Sequence, residues 1–331
     1  MELGLLIDPR LDRGWEDALD LAVRNGVTHI EPCGGGHVPT SYVDPIALDA
    51  DDDALDEFRA SVSSRGLTIA ALGCYGNPIH PDAERARAAH DDFAAMCSVA
   101  AKLGVDRVTV ISGVPAGGPH DRAPNWIIPS IYADLEHAYR WQWEERLIPY
   151  WREACAVAAG HGVRICMEPI GGFMVYNAQT FLRLREACGE TLHVNFDPSH
   201  VWWMGIDPLV LIEQLRDVIG YVHIKDVRLD ARGIARDGVV SACPYQDWEA
   251  RTWIYRAIGF GHPEPFWKEF FTALRLAGYD DVASIELEEP FMSVDEALEK
   301  SVDMVRRALP REPRPEGNFF DKYEWDSATV E

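Results

Sequence analysis

The run LHVNFDPSH, residues 192–200, is a short apolar stretch that closes on an acid, with a histidine one turn further on. A buried parallel strand has this form where its carboxyl end opens onto a site. Three more runs in the second half of the chain repeat it: RICMEPI (164–170) closes on Glu168, YVHIKD (221–226) carries His223, and VASIELE (282–288) carries Glu286. In barrels of alternating strands and helices, that end of the strand carries the chemistry. Glu168, Asp197, His223 and Glu286 are therefore candidate ligands of one divalent metal ion. Three carboxylates and one imidazole suit a hard or borderline cation, Mn first with Mg or Co as alternatives, better than a thiol-seeking one.

Outward from these four, strand-like runs at 2–8, 28–34, 68–75, 107–113, 164–170, 192–198, 221–227 and 282–288 number eight. Between them lie stretches such as WEDALDLAVRNG and DPLVLIEQLRDVIG, whose apolar residues recur at three and four. Asp52, Asn177 and Asp207 are candidate helix caps. The pattern implies parallel βαβ units and an α/β fold, a closed (β/α)8 TIM barrel, although an open doubly wound sheet shares the periodicity. No Gly-rich phosphate fingerprint follows the first strand, so a dinucleotide fold lacks its usual support. The expected organisation is a single barrel over 1–309 with long loops at 114–131 and 228–265. The tail 310–331 carries Phe319, Phe320, Tyr323 and Trp325, and aromatics of that size predict docking on the barrel or a partner chain.

The chain has 331 residues and a formal charge of −23, which argues against nucleic acid and anionic membranes as partners. Its seven cysteines include no CxxC pair and sit mostly in apolar segments, as reduced thiols of a cytoplasmic protein do. The N-terminus MELGLLIDPR reads as a first strand, since no basic region precedes an apolar core.

The EP of the fifth strand, the FDPSH of the sixth, the HIKD of the seventh and the IELEE of the eighth together resemble the xylose isomerase-like barrel superfamily, which includes sugar-phosphate isomerases and epimerases. The resemblance covers about residues 1–308 and is strongest from 164 to 300. It implies a divalent ion on Glu168, Asp197, His223 and Glu286, with His200 of the DxxH unit on the substrate. Plainer readings stand beside these. Glu168 could pair with an arginine, Asp197 could cap the next turn, and a histidine on an apolar strand is usually a core residue. Lys225 shares the face of His223 and can reach a substrate oxygen, whereas Asp226 falls on the opposite face and orients a neighbour. Glu288 shares the face of Glu286, and Glu289 reads as a solvated loop charge. Trp203, in a Trp-rich set with Trp202, Trp248, Trp253 and Trp267, and Arg228, in the second long loop, are further candidates for substrate contact.

An ion bridging adjacent sugar oxygens stabilises the enediolate formed by proton loss next to a carbonyl. With Glu168 and Glu286 as bases, this implies a metal-dependent sugar isomerase or epimerase acting on a small sugar or sugar conjugate. The sequence departs from the epimerases of the family at Met174, where a second Glu is usual, and at Ile170 and Leu287, where a His is. Those departures keep two alternatives in view. One is the large subunit of a C-glycoside deglycosylase, a lyase that cleaves a 3-keto C-glucoside together with a small β-rich subunit. The other is a sugar-binding barrel without turnover. A homo-oligomer, or a hetero-oligomer with that small subunit, is the expected assembly.

Overall fold

The computed structural model describes residues 1–128, 131–240 and 243–312. Its strands are β1 (Glu2–Ile7), β2 (His29–Gly36), β3 (Thr68–Ile69), β4 (Leu72–Tyr75), β5 (Arg107–Ile111), β6 (Arg164–Glu168), β7 (Leu192–Phe196), β8 (Ile219–Ile224), β9 (Asp226–Leu229), β10 (Trp253–Arg256) and β11 (Val282–Ile285). The parallel sheet runs β1-β11-β8-β7-β6-β5-β4-β2, and a further pairing of β1 with β2 closes it. Gly4 of β1 is opposite Ser284 on one side and His29 on the other. Because β3 and β4 are two pieces of one stave, the ring has eight, one for each strand-like run of the sequence. The (β/α)8 barrel is the fold.

Alternation along each stave sorts the side chains. Ile165 and Met167 of β6, Val222 and Ile224 of β8 and Ala283 and Ile285 of β11 belong to the large core shared with the helices. Their neighbours Cys166 and Tyr221 join Ala71 and Val282 in a separate small cluster. By period two, that second set shares its face with Glu168, His223 and Glu286, so the candidate ligands stand on the lumen side. Six of the eight observed ladders stop one to three residues short of the predicted runs, while β2 runs on to Gly36 and β4 ends at Tyr75 as expected. Glu168 is the last residue of its ladder, and Asp197 and Glu286 are the first residues beyond theirs.

The acidic excess has a structural use at helix starts. Asp82 accepts from Glu84 N at 3.0 Å ahead of the helix Ala83–Leu103, and Asp207 accepts from Leu209 N at 2.8 Å. Asn177 caps Ala178–Cys188 in a capping box with Thr180. The cap of Asp52–Ser63 is Asp51, one residue before the expected Asp52, because Asp51 is the extended residue whose oxygen reaches Asp53 N and Ala54 N.

The two long connections differ. Among its described residues, 114–131 contains only an isolated bridge between Ala116 and Pro124. The stretch 228–265 is not a loop: it holds the antiparallel ribbon β9–β10 and the helix Ala231–Asp237. Asp226 pins this excursion. Its side chain accepts from Val227 N, Gly259 N, Gly261 N and His262 N at 2.8–2.9 Å and from His262 Nδ1 at 2.8 Å. A Cβ on Gly261 would lie 2.3 Å from Val227 O, so only glycine fits that return. Nearly all of the aromatic tail lies outside the described residues. Among the described residues no helix is long and apolar enough to cross a membrane.

Candidate metal centre

Strand ends β6, β7 and β11 bring the three candidate acids to one spot, and β8 brings His223 beside them. Ligand atoms of Glu168, Asp197, His200 and Glu286 all lie within 4.8 Å of one another, and all four residues are buried. Asp197 meets both of its sequence readings with different oxygens. Oδ1 accepts from Ser199 N at 2.7 Å and caps the short helix Pro198–Trp202, while Oδ2 lies 3.5 Å from both His200 Nε2 and Lys225 Nζ.

His223, the imidazole expected among the ligands, stands against the same carboxylates. Its Nδ1 is 2.9 Å from Glu168 Oε1 and 3.2 Å from Glu286 Oε2, and its Nε2 is 2.7 Å from Glu31 Oε2. His200, expected on the substrate, contributes the imidazole of the tight group instead, with Nε2 3.6 Å from Glu168 Oε2. Two imidazoles therefore face the three acids.

Glu31 is the residue that sequence reasoning missed. It is fully buried on β2 and accepts from Thr109 Oγ1 at 2.6 Å as well as from His223. The signal was present: HIEPCGGG at 29–36 repeats the Glu-Pro and paired glycines of MEPIGG at 167–172. Tyr255 and Arg10 were also overlooked as site residues. The Tyr255 hydroxyl hydrogen-bonds His200 Nδ1 at 2.7 Å, and Arg10 reaches Glu286 at 3.3 Å and Glu288 at 3.1 Å.

Lys225 is almost wholly buried, with Nζ 3.0 Å from Glu286 Oε1, 3.2 Å from Glu288 Oε1 and 3.2 Å from His200 Nε2. Burial disfavours its charge, but Glu286, Glu288 and Asp197 more than offset that and hold the ammonium well above its usual range. Burial likewise pushes Glu168 up, yet His200 and His223 bring it down to about 2. Glu286 is also held well below the ordinary carboxylate value, against its burial, by Lys225, His223 and Arg10. For Asp197 burial wins over Lys225 and His200, and its value rises.

The donor set fits a divalent cation. Asp197 Oδ2 is a buried acceptor without a hydrogen-bond donor, and a cluster of anionic oxygens with imidazole nitrogen is the chemistry of a hard or borderline ion. Glu168, Asp197 and Glu286, with an imidazole from His200 or His223, would hold it.

The cluster forms the floor of a cavity of about 510 Å³, lined by Glu168, His200, Lys225 and Glu286 below and by Tyr75, Phe173, Trp203, Tyr245, Trp253 and Tyr255 around it. Trp203 stacks on Trp253 of the ribbon, 4.7 Å apart and 12° from parallel. A Cβ on Gly171 would lie 2.4 Å from the Trp203 ring, so the glycine after Glu-Pro makes room for it. Trp202 turns away and stacks on His262 at 3.6 Å, and Trp267 is wholly in the core. Arg228 is exposed on β9 and is not among the residues lining the cavity. Glu289 corrects the reading of a solvated charge: its side chain is 1% exposed and paired with Arg256 Nε at 2.9 Å.

Comparison with known proteins agrees with this architecture. The uncharacterized protein YfiH of Bacillus subtilis (strain 168) is 34% identical over 315 residues, covering 93% of this chain and 99% of its own length. The probable 3-DHS dehydratase AsbF of Bacillus anthracis superposes with a TM-score of 0.64 at 15% identity, covering 92% of this chain and 99% of its own. The 3-keto-D-glucoside 4-epimerase YcjR of E. coli does so at 0.63 and 16% identity, covering 93% and 99%. Residues 19–308 match the family described as "Xylose isomerase-like TIM barrel", and with a closed eight-stave ring whose strand ends gather the acids, the chain belongs to that family.

Proposed function

We propose that this protein is a divalent-metal-dependent sugar isomerase or epimerase that removes a proton next to a carbonyl and returns it. The observation that carries this reading is the convergence of Glu168 and Glu286 within 4.8 Å at the floor of a ligand-sized cavity. Two strands, β7 and β8, separate β6 from β11 in the sheet, so the two glutamates reach the spot from different directions. Both are ionised across the neutral range and can accept a proton. A divalent cation held by Glu168, Asp197 and Glu286 would supply polarisation of the sugar carbonyl. Lys225 presents a fixed ammonium to the oxygen on which negative charge develops. Lys225 Nζ lies 3.2 Å from His200 Nε2 and the Tyr255 hydroxyl 2.7 Å from its Nδ1, so the His200 ring is held at both nitrogens. Trp203, Trp253 and Phe173 keep water from the reacting carbon. Manganese is the proposed ion.

A second reading is elimination from the same carbanion, as in a C-glycoside deglycosylase large subunit working with a small partner. The aromatic wall of Trp203, Trp253 and Tyr245 favours it, because flat apolar surfaces suit an aglycone better than hydroxyl groups.

Incubation of the Mn-loaded chain with free ketoses and aldoses in heavy water tests the first reading. The expected result is deuterium next to the carbonyl and a new sugar isomer. If free sugars stay unlabelled while a 3-keto C-glucoside loses its aromatic group, alone or with a small partner, the lyase reading replaces it. Binding without exchange on any substrate leaves a sugar-binding barrel.

A further inference from the structure

The helices Pro208–Leu215 and Glu264–Leu276 pack against each other on the outside of the barrel and leave a groove of about 280 Å³ between them. Leu209 and Ile212 on one side and Ala273, Leu276 and Ala277 on the other give it apolar walls. Leu276 is 65% exposed, although Leu211 and Phe270 of the same two helices are in the core. Arg216 Nη2 donates to Leu276 O at 3.1 Å and links the two helix ends that border the groove.

The chain leaves the barrel at this groove. Arg275, next to Leu276, donates through Nη2 to Pro310 O at 3.0 Å and to Glu312 O, and the amino terminus of Met1 reaches the same Pro310 O at 3.4 Å. Glu312 is the last described residue. Phe319 follows seven positions later, a length of chain that reaches about 23 Å when extended. The lining residues of either helix span about 11 Å or less, at a helix rise of about 1.5 Å per residue, so the whole groove is within that reach.

The segment FFDKYEW, residues 319–325, has the most to gain there. Aromatic rings are stabilised by leaving water for apolar walls. The charges also match: the exposed Arg216 borders the groove for the acids Asp321, Glu324 and Asp326, and the exposed Glu213 for Lys322. Attachment at the rim favours the chain's own segment over that of a second copy, because a short tether makes the encounter intramolecular.

We infer that this groove is the docking site of the chain's own C-terminal segment, with Phe319 and Phe320 against Leu209, Ile212 and Leu276. It lies where Met1 meets Pro310, at the amino-terminal end of the strands and away from the carboxylate cluster. The inference is independent of the sugar reading.

Hydrogen exchange of the full chain, read by mass spectrometry, and photo-cross-linking test it. In the unaltered protein the amides of 319–325 should exchange at least about tenfold more slowly than in Leu276→Glu, which sets a charge on the groove wall at a position exposed enough to leave folding intact. Phe320→benzoylphenylalanine, irradiated in an equal mixture of unlabelled and heavy-nitrogen-labelled chains, should join the segment to residues 208–216 or 264–277 of the same chain. Mixed-label products would mean that a second copy supplies the segment, and cross-links to any other surface that it docks elsewhere; either result overturns the inference. So does exchange of 319–325 at the rate of a free peptide, or protection that Leu276→Glu leaves unchanged.

Discussion

Glu31 Oε2 lies 2.7 Å from His223 Nε2, a contact between residues 192 positions apart in the chain. An ionised carboxylate only accepts, so Nε2 is a donor and the other ring nitrogen faces Glu168 and Glu286. A carboxylate behind an imidazole sets which nitrogen a metal can meet and holds the ring in place. Glu31→Gln is therefore expected to weaken divalent metal binding roughly 10- to 100-fold without unfolding the protein. Competition with a chromophoric chelator measures it, with circular dichroism as the check on folding. Unchanged affinity would remove Glu31 from the site.

Metal uptake should depend on pH in a defined direction. Burial pushes His223 down, but Glu31, Glu168 and Glu286 together lift it well above 6.5, so the metal-free ring is protonated at neutral pH. If His223 supplies the imidazole, metal binding would have to displace that proton, and affinity should rise with pH by up to about tenfold per unit. Dissociation constants between pH 6 and 8, or proton release in two buffers of different ionisation heat, test this.

The stability of the chelated protein should depend on pH through the same groups. The contribution of His223 is fully present below its ordinary value of 6.5 and is lost as pH rises through its raised folded value. That of Glu168 is present above 4.5 and is lost as pH falls toward about 2. Melting temperature in excess chelator should consequently be highest between those limits. A flat profile would mean that the cluster does not couple to folding.

Replacement of either proposed base should separate chemistry from structure. Glu168→Gln and Glu286→Gln are each expected to lower kcat by roughly 10²–10⁴-fold, the usual range for a general base. The comparison must be made with metal content equalised by elemental analysis. Near-unaltered turnover in either variant, with the ion bound, would end the assignment of that residue.

Asp226 offers a test of how the excursion after β8 is held. Asp226→Ala leaves the amides of Gly259, Gly261 and His262 without their acceptor in a buried setting and is expected to cost about 3–5 kcal/mol. Denaturant unfolding measures the loss, and limited proteolysis should show new cleavage near 257–263. Resistance equal to that of the unaltered protein would mean that the excursion is held by its aromatic contacts alone.

Local pattern was enough for part of this. Eight short apolar runs separated by amphipathic stretches can close only a few ways, and acids at the run ends predict which end of the barrel is functional, because both features are periodic along the chain. Glu168, Asp197 and Glu286, which the fold brings together, could be picked out as candidates for that reason. What three dimensions decided depends on neighbours distant in sequence. Glu31 lies on the second stave and became a site residue only when closure of the ring carried it to His223. His200 and His223 could be ranked as ligand or substrate contact only by resemblance, whereas in space both face the acids. Glu289 looked solvated because nothing nearby in sequence pairs with it, yet folding brings Arg256 to it. A hollow of about 280 Å³ beside the site cavity has no linear signature, since its walls come from the turn after β1, the excursion after β8, the segment after β11 and the last helix, and only packing of those four segments makes it a place.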